Sequence, residues 1–112
     1  MAAAHPLDRL FATVTSRRGG DPETSYTASL LHAGAAKCAK KFGEEAVEVV
    51  LAAAAKDKKS LSAESADVLY HLAVLWAACG VTPKDVYAVL AARQGQSGLA
   101  EKASRKKKKP GR

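Results

Sequence analysis

The chain has 112 residues, of which 47% are hydrophobic and only 5% aromatic; this suits one small domain and, with abundant alanine, favours closely packed helices over a sheet. The net charge of +7 resembles a nucleic-acid signal, but seven of the eighteen Lys and Arg residues lie between Lys102 and Arg112, so residues 1–101 hold eleven basic and eleven acidic residues. A neutral body argues against a DNA- or RNA-binding domain, and the absence of 18 consecutive apolar residues argues against a membrane span.

Two helices are predicted in the first third of the chain. Apolar residues recur at helical spacing behind Pro6, which suits a first helical turn, and Gly19 and Gly20 end the pattern, so we expect a helix over about 6–17 and then a loop. Ser25 is placed to cap a second, short helix that Gly34 closes.

The third and fourth helices are predicted at about 35–55 and 61–79, joined by a polar break at 56–60. The third combines an apolar stripe at Val47, Val50 and Leu51 with a charged side. The fourth, with Ser60 or Ser62 as its cap and Gly80 as its end, is apolar on nearly every side. Since so short a chain cannot cover such a helix, we expect a homodimer.

A last helix is predicted from the cap Thr82, through Pro83 and Asp85, to about Arg93, with Val86, Val89 and Leu90 facing inward. We therefore expect an all-α fold, a compact bundle of about five helices around a central antiparallel hairpin. Residues 1–95 form the predicted domain, and 96–112 a flexible basic tail.

The two lone cysteines, Cys38 and Cys79, have no metal-ligand spacing. We expect both to be reduced core residues, since free cysteines are commonly buried. This indicates a reducing compartment and a soluble, cytoplasmic protein.

Five carboxylates stand out on the predicted hairpin. Glu44, Glu45 and Glu48 share one side of the third helix, and Glu64 and Asp67 lie on the fourth. With the turn near Lys58, Glu48 and Asp67 are expected at the same level and Glu64 nearer the turn. Such crowded like charges are typical either of a solvated helix face or of a cation site. Oxygen ligands alone suit Mg²⁺ or Mn²⁺ rather than zinc.

Three blocks of the sequence stand out: S-Y-T at 25–27, K-K-F-G-E-E-A-V-E at 40–48 and E-S-A-D-V-L-Y-H at 64–71. They closely resemble those of phosphoribosyl-ATP pyrophosphatases, the histidine-pathway members of the MazG-like all-α NTP pyrophosphatases. The paired acidic motif marks the superfamily, whereas the first two blocks are more specific to this member. The resemblance covers roughly residues 7–93 and leaves out the lysine-rich tail.

The resemblance implies hydrolysis of the α,β-phosphoanhydride of phosphoribosyl-ATP, giving phosphoribosyl-AMP and pyrophosphate, with Mg²⁺ or Mn²⁺ as cofactor. By matching positions, Glu45, Glu48, Glu64 and Asp67 are the metal ligands, and Glu44, Glu45 and Glu48 the catalytic carboxylates. Glu44 is an additional ligand or the group that orients water. The carboxylates alone fit equally well a house-cleaning pyrophosphatase that acts on other nucleotides, and a non-catalytic nucleic-acid-binding module is the remaining alternative.

Substrate contacts are expected from residues in or near these blocks. Lys41 is either a helix-stabilising partner of the glutamates or a phosphate ligand, and we favour the second. His71 is either a packing residue or part of the site. The hydroxyls of the S-Y-T block are either substrate contacts or structural groups, with Ser25 as a helix cap and Tyr26 in the core. The residues expected to bind substrate are therefore Lys41, Ser25, Tyr26, Thr27 and His71.

Overall fold

The computed structural model describes residues 5–94, and within this range it contains five α-helices and no strand. The helices are α1 (Pro6–Ser16), α2 (Tyr26–Ala33), α3 (Ala35–Ala54), α4 (Lys58–Cys79) and α5 (Pro83–Arg93). The predicted all-α class and helix order are confirmed. The basic tail and the first four residues lie outside the described range.

Local capping groups set most of the boundaries as the sequence predicts. Ser25 Oγ accepts a hydrogen bond from the Ala28 amide at the start of α2. Thr82 and Asp85 form a reciprocal capping box at the start of α5. Gly80 ends α4 with φ of 74°, in the left-handed region that glycine adopts without steric cost.

The start of α4 differs from the prediction. Asp57, not Ser60 or Ser62, is the cap, and its carboxylate accepts hydrogen bonds from the Ser60 amide at 3.1 Å and hydroxyl at 2.8 Å. Lys56 has φ of 58° and completes the turn. The turn of the hairpin is therefore centred near Lys56 instead of Lys58.

The hairpin of α3 and α4 is the centre of the fold. These two helices make the most extensive contacts in the described chain, α1 packs on α4, α2 contacts both hairpin helices, and α5 contacts α1. The buried core gathers at the end of the hairpin farthest from its turn, and consists of Val14, Leu30, Cys38, Ala73, Val74 and Ala77. Arg18 joins the first loop to this end by donating to the Ala77 carbonyl at 2.6 Å.

Three expectations about burial are wrong within the single protomer. Val89 and Leu90 on α5 do not face inward and are 47% and 58% exposed. Cys79 is exposed, while Cys38 is buried as expected, and both thiols are free. Burial raises the pKa of the Cys38 thiol, which donates to the Leu30 carbonyl at 3.3 Å.

Several large apolar side chains of the hairpin remain exposed. Val47, Val50 and Leu51 on α3 are 54%, 64% and 57% exposed, and Leu69 on α4 is 46% exposed. In the described range no single helix is long and apolar enough to cross a membrane; α4 and α5 meet that requirement only as a pair bent by 107°.

Candidate active site

Three of the predicted carboxylates come together across the hairpin. Glu45 on α3 and Glu64 and Asp67 on α4 each offer an oxygen, and these oxygens lie within 4.8 Å of one another. The centre of the turn explains the grouping, since Glu45 lies eleven residues before Lys56 and Asp67 eleven after it. We call these three residues the acidic cluster.

Glu48 lies beside the cluster, towards the turn. It is eight residues before Lys56 and Glu64 eight after, and both line a recess of about 350 Å³ that ends at Asp57. The sequence predicted that Glu48 lies opposite Asp67. Because the turn comes earlier in the chain than predicted, Glu48 lies opposite Glu64 instead. Glu64 therefore stands between Glu48 and the rest of the cluster.

The electrostatics of Glu64 reflect this crowding. Its pKa is raised, first because partial burial disfavours the charged carboxylate, and then because Asp67, Glu48 and Glu45 repel the negative charge. A cation among these oxygens would relieve the repulsion. The set is made of oxygen donors only, which is the chemistry that Mg²⁺ and Mn²⁺ prefer.

Glu44 has a different partner from its neighbour Glu45. Its carboxylate lies 3.1 Å from the Lys41 ammonium, one turn earlier on α3. This hydrogen bond is the main cause that lowers the pKa of Glu44 and raises that of Lys41. Glu44 is therefore held ionised at the edge of the site and is not one of the three grouped carboxylates.

An aromatic cluster joins α2 to the acidic side of α4. Tyr26 stacks on Tyr70 with ring centroids 6.4 Å apart, and His71 meets both rings edge to face, at 6.1 Å and 4.9 Å. The hydroxyls of Thr27 and Tyr70 share a hydrogen bond. The fold thus brings the S-Y-T block next to the E-S-A-D-V-L-Y-H block, a proximity that spacing along the chain does not reveal.

His71 is the buried member of this aromatic cluster and is only 6% exposed. Burial lowers the pKa of its imidazole, with Glu45 the largest opposing influence. Within residues 5–94 its Nδ1 has no hydrogen-bond partner. A buried ring nitrogen without a partner beside the carboxylates is a candidate contact for a bound molecule.

The residues of the S-Y-T block have different structural positions. Ser25 uses its oxygen as the cap of α2, the structural alternative that the sequence left open. Tyr26 is not a core residue, because 54% of it is exposed. It lines a groove of about 380 Å³ between α2 and α3, which we call the lysine groove and which is lined by Tyr26, Ser29, Leu30, Ala33, Lys37 and Lys41.

Sequence reasoning did not single out Tyr70, which contacts Thr27, Tyr26 and His71 in the structure. It follows Asp67 by three positions and so lies on the same side of α4, a spacing that could have drawn attention to it. Its contact with Tyr26 and Thr27 depends on how α2 packs, which no local signal gives.

Comparisons with known proteins agree on one family. The model of the family described as phosphoribosyl-ATP pyrophosphohydrolase matches residues 7–94. Relatives named phosphoribosyl-ATP pyrophosphatase include one from Azospirillum brasilense, 59% identical over 93% of this chain and 94% of its own. Another, from Paramagnetospirillum magneticum, is 57% identical over 91% of this chain and 94% of its own. A third, from Cereibacter sphaeroides, is 58% identical over 88% and 96%, respectively.

Proposed function

The chain belongs to the phosphoribosyl-ATP pyrophosphohydrolase family, and from that premise we propose that it hydrolyses phosphoribosyl-ATP to phosphoribosyl-AMP and pyrophosphate, the second step of histidine biosynthesis. The bond cleaved is the α,β-phosphoanhydride. The observation that carries the proposal is the meeting of Glu45, Glu64 and Asp67 across the hairpin, beside a groove lined by two lysines. Carboxylates that can hold a cation, with the Lys41 ammonium beside them, suit hydrolysis of a polyphosphate, because negative charge accumulates on the phosphate oxygens in the transition state.

We propose Mg²⁺ as the cofactor, with Mn²⁺ as a substitute. Glu45, Glu48, Glu64 and Asp67 would hold it; the clustered oxygens and the raised pKa of Glu64 support this set. A bound divalent ion would neutralise phosphate charge and make a water molecule more acidic.

We assign the orientation of the attacking water and the transfer of its proton to the glutamates of α3. Glu44, kept ionised by Lys41, is suited to accept a hydrogen bond from the attacking water and so orient it. Glu45 and Glu48 would contribute by positioning the phosphates and the water between the two helices. Proton transfer requires one of these carboxylates to come within hydrogen-bond reach of that water.

Substrate binding is assigned to the groove side of the site. Lys41 would contact a phosphate oxygen of the triphosphate, since its ammonium lies beside the carboxylates and lines the groove. Tyr26 and His71 would contact the nucleoside, Tyr26 through its exposed ring. The hydroxyls of Ser25 and Thr27, at the start of α2, would also contact the substrate. Thr27 in addition shares a hydrogen bond with Tyr70.

We also propose a homodimer. The exposed apolar side chains on the hairpin (Val47, Val50, Leu51 and Leu69) support it, as do Val89 and Leu90 on α5, because large exposed apolar side chains in such number commonly mark an interaction surface. A second copy can cover these side chains by two-fold symmetry. The two free thiols support a reducing, cytoplasmic location.

A pyrophosphate-release panel tests the activity. Purified protein with Mg²⁺ is given phosphoribosyl-ATP, ATP, dCTP and dUTP in separate reactions. We expect clear preference for phosphoribosyl-ATP, and faster turnover of dCTP or dUTP would transfer the chain to the house-cleaning pyrophosphatases. A variant that lacks residues 102–112 should release pyrophosphate at unchanged rates in the same panel. A protein that binds nucleic acid through its tail would instead lose its salt-dependent affinity for nucleic acid when these residues are removed.

A further inference from the structure

The lysine groove includes Lys41, beside the carboxylates, and Lys37, one turn farther from them on α3. Its volume of about 380 Å³ falls within the usual range of small-molecule sites. Leu30 and Ala33 provide an apolar wall, and the half-exposed ring of Tyr26 provides a flat one. The proposed chemistry uses Lys41 at one end and leaves Lys37 without a role.

The two lysines occupy successive turns on the same side of α3. An α-helix rises 1.5 Å per residue, so the backbone of Lys41 is about 6 Å and that of Lys37 about 12 Å along the axis from Glu45. Lys41 is paired with Glu44 at 3.1 Å. Lys37 is exposed and, among residues 5–94, has no carboxylate oxygen within ion-pair distance.

Other groups of the groove do not duplicate the charge of Lys37. The Ser29 hydroxyl donates its hydrogen to the Tyr26 carbonyl at 2.6 Å, so it has no hydrogen left for a phosphate oxygen. Leu30 and Ala33 are apolar, and Tyr26 offers only an uncharged hydroxyl. A second anionic group in the groove, beyond the reach of Lys41, would therefore depend on Lys37 for a positive charge.

The proposed substrate carries such a second anion. Phosphoribosyl-ATP has its triphosphate on one ribose and a separate monophosphate on the phosphoribosyl group attached to the adenine; ATP has only the first. We infer that Lys37 is a specificity-determining residue that binds the phosphoribosyl monophosphate while the triphosphate lies at the acidic cluster. This inference rests on the proposed function and adds how the site distinguishes phosphoribosyl-ATP from ATP.

The test compares Lys37→Gln with Lys40→Gln, which removes the same charge from an exposed position of α3 outside the groove. The KM and kcat for phosphoribosyl-ATP are measured, together with inhibition by each product. Lys37→Gln should raise the KM by about tenfold, equivalent to about 1.4 kcal/mol, with kcat within about threefold. It should weaken inhibition by phosphoribosyl-AMP by about tenfold and inhibition by pyrophosphate by less than about twofold, because pyrophosphate lacks the phosphoribosyl group.

Lys37→Arg should recover most of the affinity, because arginine also binds phosphate, and Lys40→Gln should match the wild type. The inference would be overturned if inhibition by both products were weakened equally, or if kcat fell at unchanged KM. It would also be overturned if Lys37→Gln were indistinguishable from Lys40→Gln. Those outcomes leave the proposed function intact as long as the wild type hydrolyses phosphoribosyl-ATP. A wild type that fails to do so would instead refute the proposed function.

Discussion

The ammonium of Lys41 lies 3.1 Å from a carboxylate oxygen of Glu44, one turn apart on α3. The next residue, Glu45, lies instead with Glu64 and Asp67. Two adjacent glutamates thus have different electrostatic surroundings, one neutralised by a lysine and one crowded by carboxylates. Their substitutions should therefore have different consequences.

Replacing Lys41 with Gln should lower kcat/KM for phosphoribosyl-ATP by about ten- to a hundredfold, since a charged phosphate contact contributes roughly 1.5 to 3 kcal/mol. Stability should change by less than about 1 kcal/mol, because exposed ion pairs contribute little. Steady-state kinetics and urea unfolding on the same protein measure both effects. Lys40→Gln is the matched control, and a Lys41→Gln protein with normal turnover but a clear loss of stability would show that the pair is only structural.

Replacing Glu45 with Gln keeps the shape of the side chain and removes a negative charge from the proposed metal site. Turnover should fall at least about a hundredfold, the scale of losing a few kcal/mol of transition-state stabilisation. Mg²⁺ should also raise the melting temperature of the wild type, and this rise should be smaller in Glu45→Gln, because less metal binds the folded state. Glu48→Gln should behave in the same way.

Glu23→Gln is the control for both glutamate variants, since Glu23 is exposed in the loop before α2. It removes one carboxylate and should leave turnover and the Mg²⁺ effect unchanged. Near wild-type turnover in Glu45→Gln would refute the metal site as drawn.

Local signals predicted most of the helix boundaries because caps and breakers act over a few residues. Pro6, Ser25, Gly34 and Gly80 are found at the ends where the sequence places them. The predicted start of α4 was wrong because Asp57, rather than a serine, caps the helix and accepts a hydrogen bond from the Ser60 amide. A carboxylate at this position gains both the hydrogen bond and the favourable end of the helix dipole.

That small error had a larger effect on the site. Moving the turn from Lys58 to Lys56 changes which residues of two antiparallel helices face each other, so Glu64 joins Glu45 and Glu48 moves opposite Glu64. The exposure of Tyr26 was also beyond prediction. It depends on the packing of α2 against the hairpin, which joins residues more than forty positions apart.

The raised pKa of Glu64 predicts a pH dependence of stability without metal. The folded protein holds this proton more tightly than the unfolded chain, so unfolding releases it. The contribution of Glu64 to stability is therefore present at low pH and is lost as the pH rises from the ordinary value of 4.5 through the raised pKa. Glu64→Gln cannot titrate and should lack this loss.

Urea unfolding of the wild type and of Glu64→Gln at several pH values, in the presence of a chelator, measures the difference. The stability of the variant relative to the wild type should increase with pH across that window. Glu23→Gln is again the control, because it removes a carboxylate away from the cluster. A constant difference between Glu64→Gln and the wild type would contradict the raised pKa.

The exposed apolar side chains of α3 predict the effect of a charge placed among them. Val50 is 64% exposed in the protomer, so an aspartate there is readily solvated in a monomer and its fold should persist. In a dimer that covers these side chains the same carboxylate would be buried without a partner, which costs several kcal/mol. We expect the wild type to sediment as a dimer at about 10 μM, where a Kd near or below 1 μM keeps most of it associated, and Val50→Asp to sediment as a folded monomer. Thr13→Asp, which places the same charge on the exposed side of α1, should remain dimeric, and a wild type that sediments as a fully active monomer would refute the dimer.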